Sequence, residues 1–253
     1  MKKQELFYPD ISVKVGNYVL TKGISIKTYS DSNSPFDWGK LSFTNPYKEK
    51  ISIAANDEIK IRLGYDGDLQ EIFVGNLVTG YDGYQELNEI MFKDRMLMME
   101  KTFLSGTYIF CTPQEIIQEA LRLTGIDNYR IADTPYPSRA CLTIKNKNMV
   151  QVLKQINNIW GLDIRYGFIK GVFYWGVTPE QDEIMEFEYG NNIISLGRTN
   201  GMWELVTVSI PSIQHSQKIK VTHPKVSGIF EVSKVIFQTN DAGFIRTTIY
   251  FED

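Results

Sequence analysis

Turn residues recur at intervals of roughly ten along residues 1–104 and again along 191–253, with alternating apolar and polar side chains between them. This rhythm constrains the fold most, because short alternating runs punctuated by Gly, Asn, Asp and Pro predict antiparallel strands in a small barrel or sandwich. The clearest instance is "IKIRLGYDGDLQEIFVGNLVTG", residues 59–80. Ile59, Ile61 and Leu63 alternate with Lys60 and Arg62, and Ile72 and Val74 continue beyond the Tyr65–Asp68 corner. The pattern predicts a half-buried hairpin.

The rest of 1–104 reads the same way. "ISVKVGNYVLTKGISIKTYS" breaks into strands at Gly16-Asn17 and Lys22-Gly23, "DSNSPFDWGK" is a loop, and "KLSFTN" is a strand. Tyr81-Asp82-Gly83 is a second turn leading into the strand "LNEIMFK", and "DRMLMMEK" forms a short helical turn. Residues 105–190 change character. "CTPQEIIQEALRLTG" has Thr112 as N-cap, Pro113 at the first helical position, Glu115 three residues after the cap and Gly125 as stop. "NMVQVLKQINNIWG" is a second helix, whose apolar stripe runs from Met149 to Trp160, so Trp160 is expected to be buried. "LDIRYGFIKGVFYWG" returns to a strand, a turn and a strand.

The chain is therefore expected to be mainly β (α+β). Two small antiparallel β-barrel domains, at 1–104 and 191–253, flank a small α/β insert at 105–190. No sequence-level repeat links the flanking segments, but their length and rhythm allow a structural one. Without a Gly/Ser- or Pro-rich linker, the parts are expected to pack together. In the last strand, "GFIRTTIYFED", Phe244, Arg246, Thr248 and Tyr250 lie on one face and Ile245, Thr247, Ile249 and Phe251 on the other. Large apolar groups on both faces predict cover on both sides.

Composition narrows the function. At 253 residues and a net charge of −3, the chain has no excess of Lys and Arg for dedicated nucleic-acid binding. An aromatic content of 13% suits a strand-rich protein. The two cysteines, Cys111 and Cys141, form no CxxC or Cys/His cluster and are expected to be reduced thiols. "MKKQELFYPD" has no apolar run behind its charges, and no segment reaches the ~20 apolar residues that span a bilayer, so no membrane anchor is expected. Synthesis and folding in the cytoplasm are expected.

The search for chemistry yields no catalytic, cofactor-binding or metal-binding assignment. Asp66 and Asp68 are ordinary turn residues. Asp82 stands alone, and the run of Glu180, Asp182, Glu183, Glu186 and Glu188 reads as a solvated edge. A Cys–His nucleophile would need Cys111 or Cys141 with His215 or His223, yet Cys111 in "YIFCTP" has the setting of a buried, inert thiol. The histidines have no third ligand close in sequence. No GxGxxG, Walker-type loop, GxSxG or HExxH occurs, and "YDGD" lacks the rest of an EF-hand loop. No cofactor is expected.

Three stretches carry a resemblance: "KDRMLMMEK" after a strand, "NKNMVQVLKQINNIWGLDI", and the closing "IPSIQHSQKIKVTHPKVSGIFEVSKVIFQTNDAGFIRTTIYF". In their order the chain resembles the phage tail hub family: baseplate hub proteins, late control protein D, and the N-terminal part of type VI secretion spike proteins. The resemblance implies a homotrimer in which each subunit contributes two barrels of tail-tube type. The resulting pseudo-sixfold ring joins a hexameric tail tube to a central spike in a phage or a contractile bacteriocin. The implied partners are the tube protein, the spike protein and other baseplate proteins, and the implied location is the distal tail of a virion or tail-like particle. Many relatives continue beyond the last barrel strand, so spike and lytic functions are expected on separate proteins. The competing reading is a cell-wall-directed hydrolase or carbohydrate-binding module of the same particle, with Tyr81, Tyr84, Trp175 and Trp203 stacking on sugars.

Overall fold

The computed structural model describes residues 9–44, 50–81, 89–240 and 243–253. Asp82, Gly83 and Tyr84 of the second turn, and Asp241 and Ala242 of the last corner, lie outside the described residues. The first strands are β1 (Pro9–Val15), β2 (Tyr18–Leu20), β3 (Ile24–Asp31), β4 (Trp38–Phe43), β5 (Glu58–Tyr65), β6 (Asp68–Leu77) and β7 (Glu89–Asp94). Next come α1 (Met96–Lys101), β8 (Phe103–Cys111), α2 (Pro113–Leu123), β9 (Tyr129–Ile131), β10 (Arg139–Asn148), α3 (Met149–Trp160), β11 (Tyr166–Ile169) and β12 (Val172–Trp175). The chain closes with β13 (Met185–Glu188), β14 (Ile193–Thr199), β15 (Met202–Val208), β16 (Lys218–His223), β17 (Val226–Thr239) and β18 (Ile245–Phe251). The protein is mainly β, and its strand pairs are antiparallel except β9 with β12 and β13 with β16.

By internal contacts the chain divides into Met1–Asp94 with Glu180–Asp253, and Arg95–Pro179. The sequence boundaries at 104/105 and 190/191 therefore shift. A strand belongs where its backbone donors and acceptors are satisfied. β8 pairs with β10, which draws it into the insert, and β13 pairs with β16, which draws it into the larger unit.

In the larger unit both flanking segments share one sheet, ordered β14-β15-β18-β17-β3-β4-β7-β6-β5-β1-β2, with β16 and β13 alongside β17. The path is open at β14 and β2, and no closed barrel is present among the described residues. Within it one pattern occurs twice. β3 to β7 pair in the order β3-β4-β7-β6-β5, and β14 to β18 in the order β14-β15-β18-β17-β16. Each is a first-second-fifth-fourth-third arrangement, all antiparallel, and β3 joins the two by pairing with Lys234–Gln238 of β17, beyond the stretch that β16 covers.

The predicted hairpin is β5–β6. Asp66 and Gly67 have φ of 54° and 85°, the two-residue turn whose twist suits adjacent strands, and Tyr65 pairs with Asp68. Ile59, Ile61 and Leu63 are fully buried. Where β6 lies between β5 and β7 the backbones crowd, and a Cβ on Gly75 would stand 2.1 Å from the Lys93 carbonyl oxygen. The core mixes both segments: Ile26, Leu41 and Phe92 with Val235, Ile249 and Phe251.

In the insert, α2 starts on the predicted capping box. The Thr112 side chain accepts from the Glu115 N–H, and Glu115 Oε2 accepts from the Thr112 N–H at 2.7 Å. Asn148 and Gln151 cap α3 in the same reciprocal way, and Gly161 ends it at φ 63°. Ile116, Ile117, Ala120 and Leu121 of α2 and Met149, Val152, Leu153 and Ile156 of α3 are fully buried. Trp160 is only half-buried, contrary to expectation. It lies at the stripe's azimuth but on the last turn, where its Nε1 donates to the Pro137 carbonyl at 2.8 Å and Arg139 lies 5.9 Å from its ring.

Candidate functional site

The residues considered for chemistry lie at separate places in the fold. In the Asp66-Gly67 turn, the Gly67 N–H donates to Asp10 Oδ2 at 2.7 Å. Glu180, Asp182, Glu183, Glu186 and Glu188 are all exposed, and Glu186 pairs with Lys220 at 3.2 Å. His223 accepts the Lys225 N–H at Nδ1 and meets the Tyr189 ring edge-on at 4.8 Å; His215 Nδ1 is 3.0 Å from Ser216 Oγ. Among the described residues no three His, Cys, Asp or Glu side chains gather as metal ligands. Of the suggested sugar platforms, Trp175 and Tyr81 are core residues and Trp203 is half-buried with Arg198 5.0 Å from its ring. Tyr84 lies outside the described residues.

Both cysteines are free thiols on the β8–β10 pair, Cys111 buried and Cys141 exposed. Burial, with Glu115 nearby, pushes the Cys111 thiol up, away from the reactive thiolate. In the native protein at neutral pH a small aromatic disulfide reagent should label Cys141 alone. Equal labelling of Cys111 would show that β8 opens.

A carboxyl pair, Asp94 buried and Asp37 half-buried, fastens the start of β4 to β7. The Asp37 N–H donates to Asp94 Oδ2 at 2.7 Å and the Asp94 N–H returns to the Asp37 carbonyl at 2.9 Å. Burial of the carboxyl, then the charge of Asp94, raises Asp37 well above the usual carboxylate range. A raised folded value stabilises the fold fully below the ordinary carboxylate pKa, and that contribution is lost as pH rises through the folded value. Asp37→Asn should therefore raise the melting temperature more at pH 7 than at pH 4. An equal change at both would show that Asp37 titrates normally.

The face of the shared sheet opposite the core carries aromatic rings interleaved with cations. Tyr29 and Trp38, paired across β3 and β4, stack at 4.3 Å and 14°. Lys234 lies 5.6 Å from both the Tyr29 and Tyr250 rings, and Lys27 5.3 Å from Tyr29. Tyr250 donates to Glu204 Oε2 at 2.9 Å, and burial together with this bond pushes its phenol up to about 12. Lys40 pairs with Glu89 at 2.8 Å. On β18, Ile245, Thr247, Ile249 and Phe251 face the core, while Arg246, Thr248 and Tyr250 are half-buried by their cross-strand neighbours and Phe244 stays exposed. The large groups on the outer face are thus partly screened within the chain itself. Alternation in "WGKLSF" was the available sign of this surface, obscured by reading Trp38 as loop.

The strands beneath this face are continuously hydrogen-bonded, and among the described residues the path ends at β14. In the insert, Ile109 and Phe110 of the β8–β10 ribbon are exposed.

No protein-family model matches the sequence, and no curated protein matches it. The fold, however, matches solved structures along nearly its whole length. It is similar to a 43 kDa tail protein of prophage MuSo2 from Shewanella oneidensis, with TM-score 0.71 and 12% identity over 97% of this chain and 98% of that one. It is similar to a tail protein of Neisseria meningitidis, with TM-score 0.71 and 12% identity over 98% and 97%. A type VI secretion component of E. coli, described as structurally similar to the T4 tail proteins gp27 and gp5, matches with TM-score 0.65 and 12% identity over 95% and 76%. At such identity the likeness is one of fold: the chain has the fold of phage tail proteins.

Proposed function

We propose that this chain, folded as phage tail proteins are, is a structural hub subunit of a phage tail or tail-like particle and acts through contacts rather than turnover. Three copies form a pseudo-sixfold ring that joins a hexameric tube to a central spike. The observation that carries this reading is the repeated five-strand pattern of β3–β7 and β14–β18. Two tube-like modules per chain make six in a trimer, which is what a threefold body needs to meet a sixfold one. The β17–β3 pairing gives the joint between modules, and the edge of β14, unpaired among the described residues, is where a further module would continue the ring.

The wild-type protein should sediment and scatter light as three chains, and averaged particle images should show six similar lobes. Purified cell wall should remain intact in its presence. A monomer that persists with tube and spike partners present would overturn the hub reading, and cell-wall turnover abolished by one acidic substitution in 180–188 would favour an enzyme.

A further inference from the structure

The edge of β14, unpaired with any strand among the described residues, is not bare. Asn200 and Gly201, with φ of 52° and 87°, form a two-residue turn, so the flanking Thr199 and Met202 exchange both backbone bonds. In an antiparallel ladder bonded and non-bonded pairs alternate. Arg198 with Trp203 and Leu196 with Leu205 are therefore non-bonded pairs, and the backbone groups of Arg198 and Leu196 point away from β15. The β17–β18 ladder agrees. Counted from the Asn240 N–H donating to the Phe244 carbonyl, it turns Ile249 toward Leu205, which leaves Leu205 nothing to offer β14.

One of these outward groups is occupied from within the chain: Lys225 Nζ donates to the Leu196 carbonyl at 3.4 Å. Lys225 belongs to the turn between β16 and β17, and that turn is fixed from several sides. The Lys225 N–H donates to His223 Nδ1 at 3.0 Å, Ser227 Oγ donates to the His223 carbonyl at 3.0 Å, and Val226 packs against the core. The ammonium reaches the edge from a firm base. The Arg198 guanidinium, by contrast, is held by Asp253 and lies 5.0 Å from the Trp203 ring.

The first module shows what such an edge takes. β3 opens its pattern as β14 opens the second, and Lys27–Asp31 of β3 pair with Lys234–Gln238 of β17. An unpaired edge recruits a strand, and a lysine laid on it discourages that. We infer that Lys225 is a displaceable guard. In the single chain it closes the β14 edge to stray strands, and it leaves when a strand of a second copy pairs there. The contact is self-inhibitory, because the bond to Leu196 must break before the edge is used. The strand that finally takes the edge rests on the ring reading above; the guard itself lies within one chain.

The test removes the donor. Lys225→Met should lower the concentration for half-maximal self-association, measured by sedimentation, about two- to tenfold, the worth of one ordinary hydrogen bond. Lys225→Arg should behave as wild type. The Leu196 and Arg198 amides should exchange readily in the single chain and be protected in the assembly. Adding Arg198→Pro to Lys225→Met should abolish the gain, since proline at an outward-facing edge position spares the β14–β15 bonds and blocks an incoming strand. Arg198→Ala in its place should leave the gain intact. Unchanged association of Lys225→Met, or a gain that survives Arg198→Pro, overturns the guard and leaves the ring reading standing if wild-type protein forms trimers. A wild-type monomer that persists with tube and spike partners overturns the ring reading, while a proline-sensitive gain in Lys225→Met still supports the guard.

Discussion

A chain ending at Asn240, without residues 241–253, is expected not to fold its larger unit. The alternation of the last strand predicts loss of one partner, the strand before it. The loss is in fact double, because β18 lies between β15 and β17, paired with Trp203–Val208 on one side and Val232–Thr239 on the other. Removing it creates two unpaired edges inside the sheet and strips Ile245, Thr247, Ile249 and Phe251, all essentially inaccessible, from the core. Emptying Ile249 and Phe251 alone should cost on the order of 5–10 kcal/mol. That approaches the ~5–15 kcal/mol by which whole domains are stable. Thr247 Oγ1 also accepts the Ile210 N–H at 3.1 Å, so the β15–β16 connection loses its anchor. Far-UV circular dichroism should show loss of strand signal, and the protein should aggregate. A truncated chain with native strand content and a cooperative melt would contradict this account.

What could be read from the sequence is what depends on neighbours in the chain. The β5–β6 hairpin was legible because Asp66-Gly67 can hold the positive φ that its turn demands. The start of α2 was legible because Thr112 and Glu115 cap it three residues apart. Long-range pairings left no such mark. Nothing in "ISIKTYS" says that its edge meets a strand two hundred residues later, yet Lys27 pairs with Gln238 and joins the repeated patterns. The ribbon was hidden for the same reason: Ile109 finds Cys141 only after α2 and β9 have intervened, and the backbone that turns Phe110 outward has no glycine to announce it. Helical periodicity, in turn, gives azimuth but not how far a packing wall extends, which is why it misplaced Trp160.

Trp175→Ala is expected to destabilise the insert by about 3–5 kcal/mol, the usual range for emptying a large aromatic from a core. Trp175 is fully buried at the end of β12, paired with Tyr166 of β11 and Ile131 of β9, and the Tyr136 ring stands edge-on at 5.7 Å. Its carbonyl accepts the Ala132 N–H at 2.9 Å, so collapse of the site would disturb the strand pairing as well as the packing. Trp175→Phe should cost much less. The indole Nε1 has no hydrogen-bond partner among the described residues, and removing an unsatisfied buried donor offsets part of the lost volume. Trp160→Ala should cost only about 1 kcal/mol, since the ring is half-buried and its loss removes one hydrogen bond of ordinary strength. Urea unfolding of the three variants should rank them Trp175→Ala far above Trp160→Ala and Trp175→Phe. Iodide should quench Trp160 in the folded protein and leave Trp175 bright. Equal costs at the two positions, or ready quenching of Trp175, would show that the β11-β12-β9 sheet does not enclose that ring.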